Sequence, residues 1–158
     1  MTDVVAADEQ SAEAIDLARW TALAEAVLRA EGASAPGELS LLFVDAGEMA
    51  RLNEQFMSAS GPTDVLAFPL DPLGSSDVPL LLGDVVICPA VAAANAPTHA
   101  GNLDDEIALL IVHGILHVLG HDHAEPAETA VMRSRERALL EKLHWCGSAP
   151  VGFRADED

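Results

Sequence analysis

Apolar residues in this chain recur with two different periods, and the alternation between them lays out its elements. From about Glu13 to Glu31, Leu17, Trp20, Leu23 and Val27 recur at three- to four-residue steps, which predicts an amphipathic helix ended by the breaker cluster Gly32–Gly37. Leu39–Asp45 is a short apolar run suited to a buried strand, and Ala46–Met57 returns to helical spacing with Met49, Leu52 and Phe56 on one side. After a turn at Gly61–Thr63, Asp64–Leu70 reads as a second strand, with Pro69 marking an edge or an end. Asp71–Pro79 reads as loop, Gly83–Cys88 as a third strand, and Pro89 as the first turn of a helix reaching about Asn95.

The strongest helix signal covers Leu103–Leu119. Asn102 is placed to cap it, Asp104, Asp105 and Glu106 complement the dipole of its first turn, and Gly120 stops it. A last helix is predicted over Pro126–His144. Strands interleaved with helices predict a layer of helices on a small sheet. The expected organisation is a single domain over residues 1–146, with 147–158 a flexible tail.

With 158 residues, half of them hydrophobic, the chain is long enough to bury a real core. The formal charge of −18 argues against tight intrinsic binding to nucleic acid, which depends on Lys and Arg displacing counterions from phosphates. Four of the eight basic residues, Arg133, Arg135, Arg137 and Lys142, alternate with Glu136 and Glu141, the pattern of a solvated helix with local ion pairs. The two cysteines, Cys88 and Cys146, are too few for a disulfide scaffold. The start lacks the basic head and apolar run of a signal peptide, and the most apolar stretch, Ile107–Gly120, is too short to span a bilayer. The expected location is the cytoplasm, with no membrane partner.

Four of the six histidines fall in the eleven residues His113–His123 (HGILHVLGHDH). His113 and His117, four apart, share a helix face, and the bend permitted by Gly120 can return His123 to the same point. Three imidazoles at this spacing predict a metal site at the end of the central helix. Three neutral nitrogen ligands plus water is the pattern of catalytic rather than structural zinc; zinc is the first choice, and the ligand set does not exclude Ni2+ or Fe2+. The pattern is close to the HExxHxxGxxH of metallopeptidases, where the Glu is the general base. Gly114 holds that position here, which argues against peptide hydrolysis.

The same segment resembles the HGxLHLxGYDH signature of the YbeY family of bacterial rRNA-maturation endoribonucleases. Leu52-Asn53 with Gly61–Pro69 (GPTDVLAFP), Leu82–Ile87 (LGDVVI) and Asp105–Val112 (DEIALLIV) resemble further family blocks in the same order. The resemblance implies an α+β fold, a small mixed sheet flanked by helices, with one zinc ion held by His113, His117 and His123. It also implies single-strand-specific, metal-dependent RNA cleavage in 16S rRNA 3′-end maturation and ribosome quality control. The expected partners are single-stranded or ribosomal RNA and the small ribosomal subunit or an assembly factor. A zinc hydrolase of another bond and a non-catalytic, metal-stabilised assembly factor are the alternative readings. Attack by hydroxide and attack by the substrate's own 2′-OH are both open.

The chain departs from the family pattern at three places. Met57 stands where many members carry an Arg, Ala67 replaces a Ser, and His121 replaces a Tyr. His121 is a candidate proton shuttle and Asp122 a candidate to orient a ligand imidazole. Asp64 and Asp84 lie at strand starts, where capping is the first reading and approach to the cleft the second, and Glu106 reads as a first-turn dipole charge.

Overall fold

A computed structural model describes residues 2–33, 37–69, 80–121 and 125–153. The elements run β1 (Thr2–Glu9), α1 (Leu17–Ala30), β2 (Gly37–Val44), α2 (Ala46–Met57), β3 (Val65–Pro69), β4 (Leu80–Ile87), α3 (Pro89–Asn95), α4 (Leu103–Val118) and α5 (Pro126–Leu143). A 3₁₀ turn at Ala96–Thr98 joins α3 to the approach of α4. The four strands form one mixed sheet in the order β1-β2-β4-β3, with β1, β2 and β4 parallel and β3 antiparallel on the β4 edge. The expected α+β architecture, a small mixed sheet flanked by helices, is therefore what the chain adopts.

The sheet is covered on both faces rather than one. Leu39, Leu41 and Phe43 of β2 and Val85 and Ile87 of β4 point into the main core with α1, α4 and α5. Val44, Leu66 and Val86 point the other way and pack with Met49 of α2 and Cys88. This alternation is what the two-residue period of a strand requires when helices cover both sides. The single layer of helices expected from the sequence is thus corrected by α2, which closes the opposite face.

α4 lies at the centre of the assembly. Twelve of its sixteen residues are buried, and it packs on α1, α3, α5, β3 and β4. Ile107, Ile111, Ile115 and Leu116 are fully enclosed; each such aliphatic side chain contributes about 1.5–3 kcal/mol relative to exposure. Its start is fixed as expected: Asn102 accepts from the Asp105 amide at 2.9 Å. At its end the His121 amide donates to the Leu116 carbonyl and the Gly120 amide to that of His117, a Schellman motif with Gly120 at φ 104°. A side chain is poorly tolerated in that conformation, so the bend read from Gly120 has its physical cause.

Two features were not read from the sequence. β1 pairs with β2 over eight registered positions, although its own pattern is weak: Val4 and Ala6 are half-buried while Asp3, Val5 and Asp8 are exposed. The tail expected from Gly147 is held against the core as far as Phe153. Phe153 is buried, its ring meets that of Trp145 at 5.0 Å, and the Ala149 amide donates to Glu141 at 3.0 Å. Residues 154–158 lie outside the described residues. No helix among the described residues is long and apolar enough to cross a membrane.

Candidate functional site

The last two turns of α4 present His113 and His117 on one face, their rings edge to face at 4.6 Å between centroids. His113 does not stand alone. Its Nδ1 lies 2.5 Å from Oε2 of Glu136, which α5 carries in from the other side and which is only 8% exposed. An ionised carboxylate can only accept, so Nδ1 carries the proton, and in the neutral ring Nε2 is then the nitrogen that can ligate. This is how metal-binding histidines are held: a carboxylate fixes the tautomer and turns the second nitrogen toward the ion. The donor chemistry of this pair fits a divalent transition metal.

The third expected ligand, His123, and its neighbour Asp122 lie outside the described residues. Among the described residues no three His, Cys, Asp or Glu side chains converge on one point. His121 is described, and it lines a shallow groove with Leu119, Gly120, Ala127, Glu128 and Val131, away from the cavity that holds His113. Cys88 is buried at the start of α3, whereas Cys146 is exposed; both are free. Neither lines the cavity at His113.

That cavity, of about 370 Å³, lies between α4, α5 and the approach to β3. Its walls join an apolar floor, including Val65, Leu109, Leu110 and Met132, to the polar groups Asp64, His99, His113, Thr129, Arg133 and Glu136. A cleft that joins apolar surface to convergent polar groups is the usual form of a binding site. Three residues read as structural are therefore placed differently. Glu136 is a buried partner of His113 rather than a solvated helix charge, and Asp64 and Arg133 line the cleft. Asp84, by contrast, sits within β4, paired with Ser40 and Phe68.

His99 was missed altogether. It follows the 3₁₀ turn, and its Nδ1 lies 2.8 and 3.0 Å from the two carboxylate oxygens of Glu106. Glu106 is fully buried and also accepts the Ala100 amide at 3.1 Å, so it anchors this loop rather than merely complementing the helix dipole. No sequence signal marks His99, because the pairing depends on the loop folding back over the first turn of α4. A neighbouring cluster is structural: Asp105 accepts from His144 at 2.7 Å and from the Trp145 indole at 2.9 Å, tying the end of α5 to the start of α4.

Two further positions bear on the chemistry. A Cβ built on Gly114 would stand 2.6 Å from Cγ1 of Val85, so the peptidase base is not only missing but sterically barred by β4. Met57, in the place of the family's Arg, is exposed at the end of α2. Among the described residues, Arg133 is the Lys or Arg side chain that lines the cleft. Its neighbour Arg135 faces elsewhere and binds Glu31 of the α1 end at 2.9 Å; that hydrogen bond raises the guanidinium above its usual range.

Comparison with known proteins gives the chain a family. The family described as Endoribonuclease YbeY matches residues 5–144. An Endoribonuclease YbeY of Beutenbergia cavernae is 47% identical over 136 residues, covering 83% of this chain and 91% of that one. One from Salinispora tropica is 45% identical over 145 residues, covering 85% and 91%. The solution structure of TM1509 from Thermotoga maritima superposes with a TM-score of 0.61 at 26% identity, covering 90% of this chain and 89% of that one. With residues 5–144 matching the family and two relatives at 45–47% identity covered over 91% of their length, this chain belongs to the YbeY family of endoribonucleases.

Proposed function

We propose that this protein is a metal-dependent endoribonuclease that cleaves single-stranded RNA, acting in 16S rRNA 3′-end maturation and ribosome quality control in the cytoplasm. The observation that carries the reading is the Glu136–His113 pair with His117 one turn away, set at the rim of a cleft in a chain of this family. His113, His117 and His123 would hold one ion, zinc in preference to Ni2+ or Fe2+. When bound, the ion would supply a Lewis acid for a phosphoryl oxygen and acidify water.

The chain's own residues do the rest. Glu136 keeps Nε2 of His113 available by holding Nδ1. Arg133 brings a cation to a phosphodiester entering the cleft, while Leu109, Leu110 and Met132 form its apolar floor. Asp122 would orient a ligand imidazole. A net charge of −18 leaves little general attraction for RNA, so the small ribosomal subunit or an assembly factor would deliver the substrate. Peptide hydrolysis is disfavoured by the Val85 side chain that occupies the space of the peptidase Glu.

The test is metal analysis and cleavage of a single-stranded oligoribonucleotide, side by side for wild type and His113→Ala. The variant is expected to lose both bound metal and cleavage. Stoichiometric metal in the variant would remove His113 from the ligand set, and a metal-loaded wild type that cuts no RNA would end the nuclease reading. Product ends then decide the chemistry: 3′-hydroxyl termini exclude attack by the 2′-OH.

A further inference from the structure

Glu136 and His113 have a counterpart in a second pair that lines the same cleft. His99 is held through Nδ1 by both oxygens of Glu106, just as His113 is held by Glu136. Glu106 is fully enclosed while His99 is 40% exposed, so the ring is anchored from inside the protein and open on its other edge. The carboxylate accepts the Nδ1 proton, which leaves Nε2 as the polar atom the ring presents to the cleft. A backbone bond from Ala100 to the same carboxylate fixes the loop that carries the ring.

We propose that His99 is a catalytic residue of this site, moving a proton through Nε2 at the phosphodiester being cleaved. The proposal rests on the endoribonuclease reading above. As the nucleophile's oxygen bonds to phosphorus, the bond from phosphorus to the leaving oxygen breaks and that oxygen takes the electron pair. His99 in its protonated form gives it the Nε2 proton and becomes neutral imidazole, with Nδ1–H still on Glu106. The nucleophile's proton passes to solvent, from which the imidazole is recharged. His99 needs no place among the metal ligands for this role.

The experiment measures kcat, KM and metal content for wild type, His99→Ala and His99→Gln on a single-stranded oligoribonucleotide. Both variants are expected to lose kcat by roughly 10²-fold or more, the range of general acid–base catalysis, with KM and bound metal unchanged. Added imidazole should restore part of the activity of His99→Ala, which a structural role would not allow. An unimpaired kcat, a loss confined to KM, or loss of the metal would each overturn the proposal while leaving the nuclease reading in place. A wild type that cleaves nothing would instead overturn that reading, and the proposal with it.

Discussion

Glu136 accepts the Nδ1 proton of His113 at 2.5 Å across 23 residues of sequence, which makes α5 part of the site that α4 carries. Glu136→Gln keeps the shape but weakens the hold on the ring. Metal affinity is expected to fall by about 10–100-fold, the usual effect of losing such a partner. Competition against a chromogenic chelator measures it, and an unchanged affinity would show that the pair serves packing alone.

His117 is half-buried at the end of α4, so its truncation removes little packing. His117→Ala is expected to keep the wild-type far-UV spectrum while losing stoichiometric metal and RNA cleavage together. Chelator treatment of the wild type should reproduce the loss, and added Zn2+ should reverse it. Cleavage that survives complete metal removal would contradict the role assigned to the histidines.

Gly114 packs against a fully buried Val85 at a distance that leaves no room for a methyl group. Overpacking of this kind costs about 1–3 kcal/mol, and the better helix propensity of alanine returns about 1 kcal/mol of it. Gly114→Ala should therefore lower the unfolding free energy by up to about 2 kcal/mol in urea titration. An equally stable variant would mean that β4 yields easily, and the steric case against a peptidase Glu would fail.

Arg133 brings positive charge to the cleft of a strongly acidic protein. Arg133→Gln is expected to weaken binding of a non-cleavable single-stranded RNA and to reduce the salt slope of binding by about 1. An unaltered slope would place the phosphate contact elsewhere.

Arg135 and Glu31 join α5 to the end of α1, with the arginine more than a third exposed. Because the guanidinium is raised, its contribution is complete below its unfolded-state ionisation and is lost only at higher, strongly alkaline pH. Arg135→Ala should cost about 0.5–1 kcal/mol, a figure already reduced for solvent screening and reduced further by salt. The difference from wild type should stay level between pH 6 and pH 9.

The helices were legible because their signals are local. α2 and α3 fall on the residues that periodicity and Pro89 mark, and α4 begins at the cap read from Asn102. β1 was not, because a strand with exposed Asp3, Val5 and Asp8 is made by its pairing with β2 rather than by its own pattern. The histidine spacing pointed to the end of α4, where two of the three rings are described. The supporting carboxylates were invisible: Glu136 alternates with arginines as a surface residue would, yet the turn of α5 aims it inward. His99 carries no pattern, since only the fold brings its loop back over Glu106.

That the histidines ride on the most deeply buried helix has a bearing on how such a protein can diversify. Most changes along α4 unsettle the whole molecule, so new substrate preferences have little freedom to arise there. The adjustable wall of the cleft is the half-buried flank of α5, where alternatives to Thr129 or Arg133 can be tried at less risk to the scaffold.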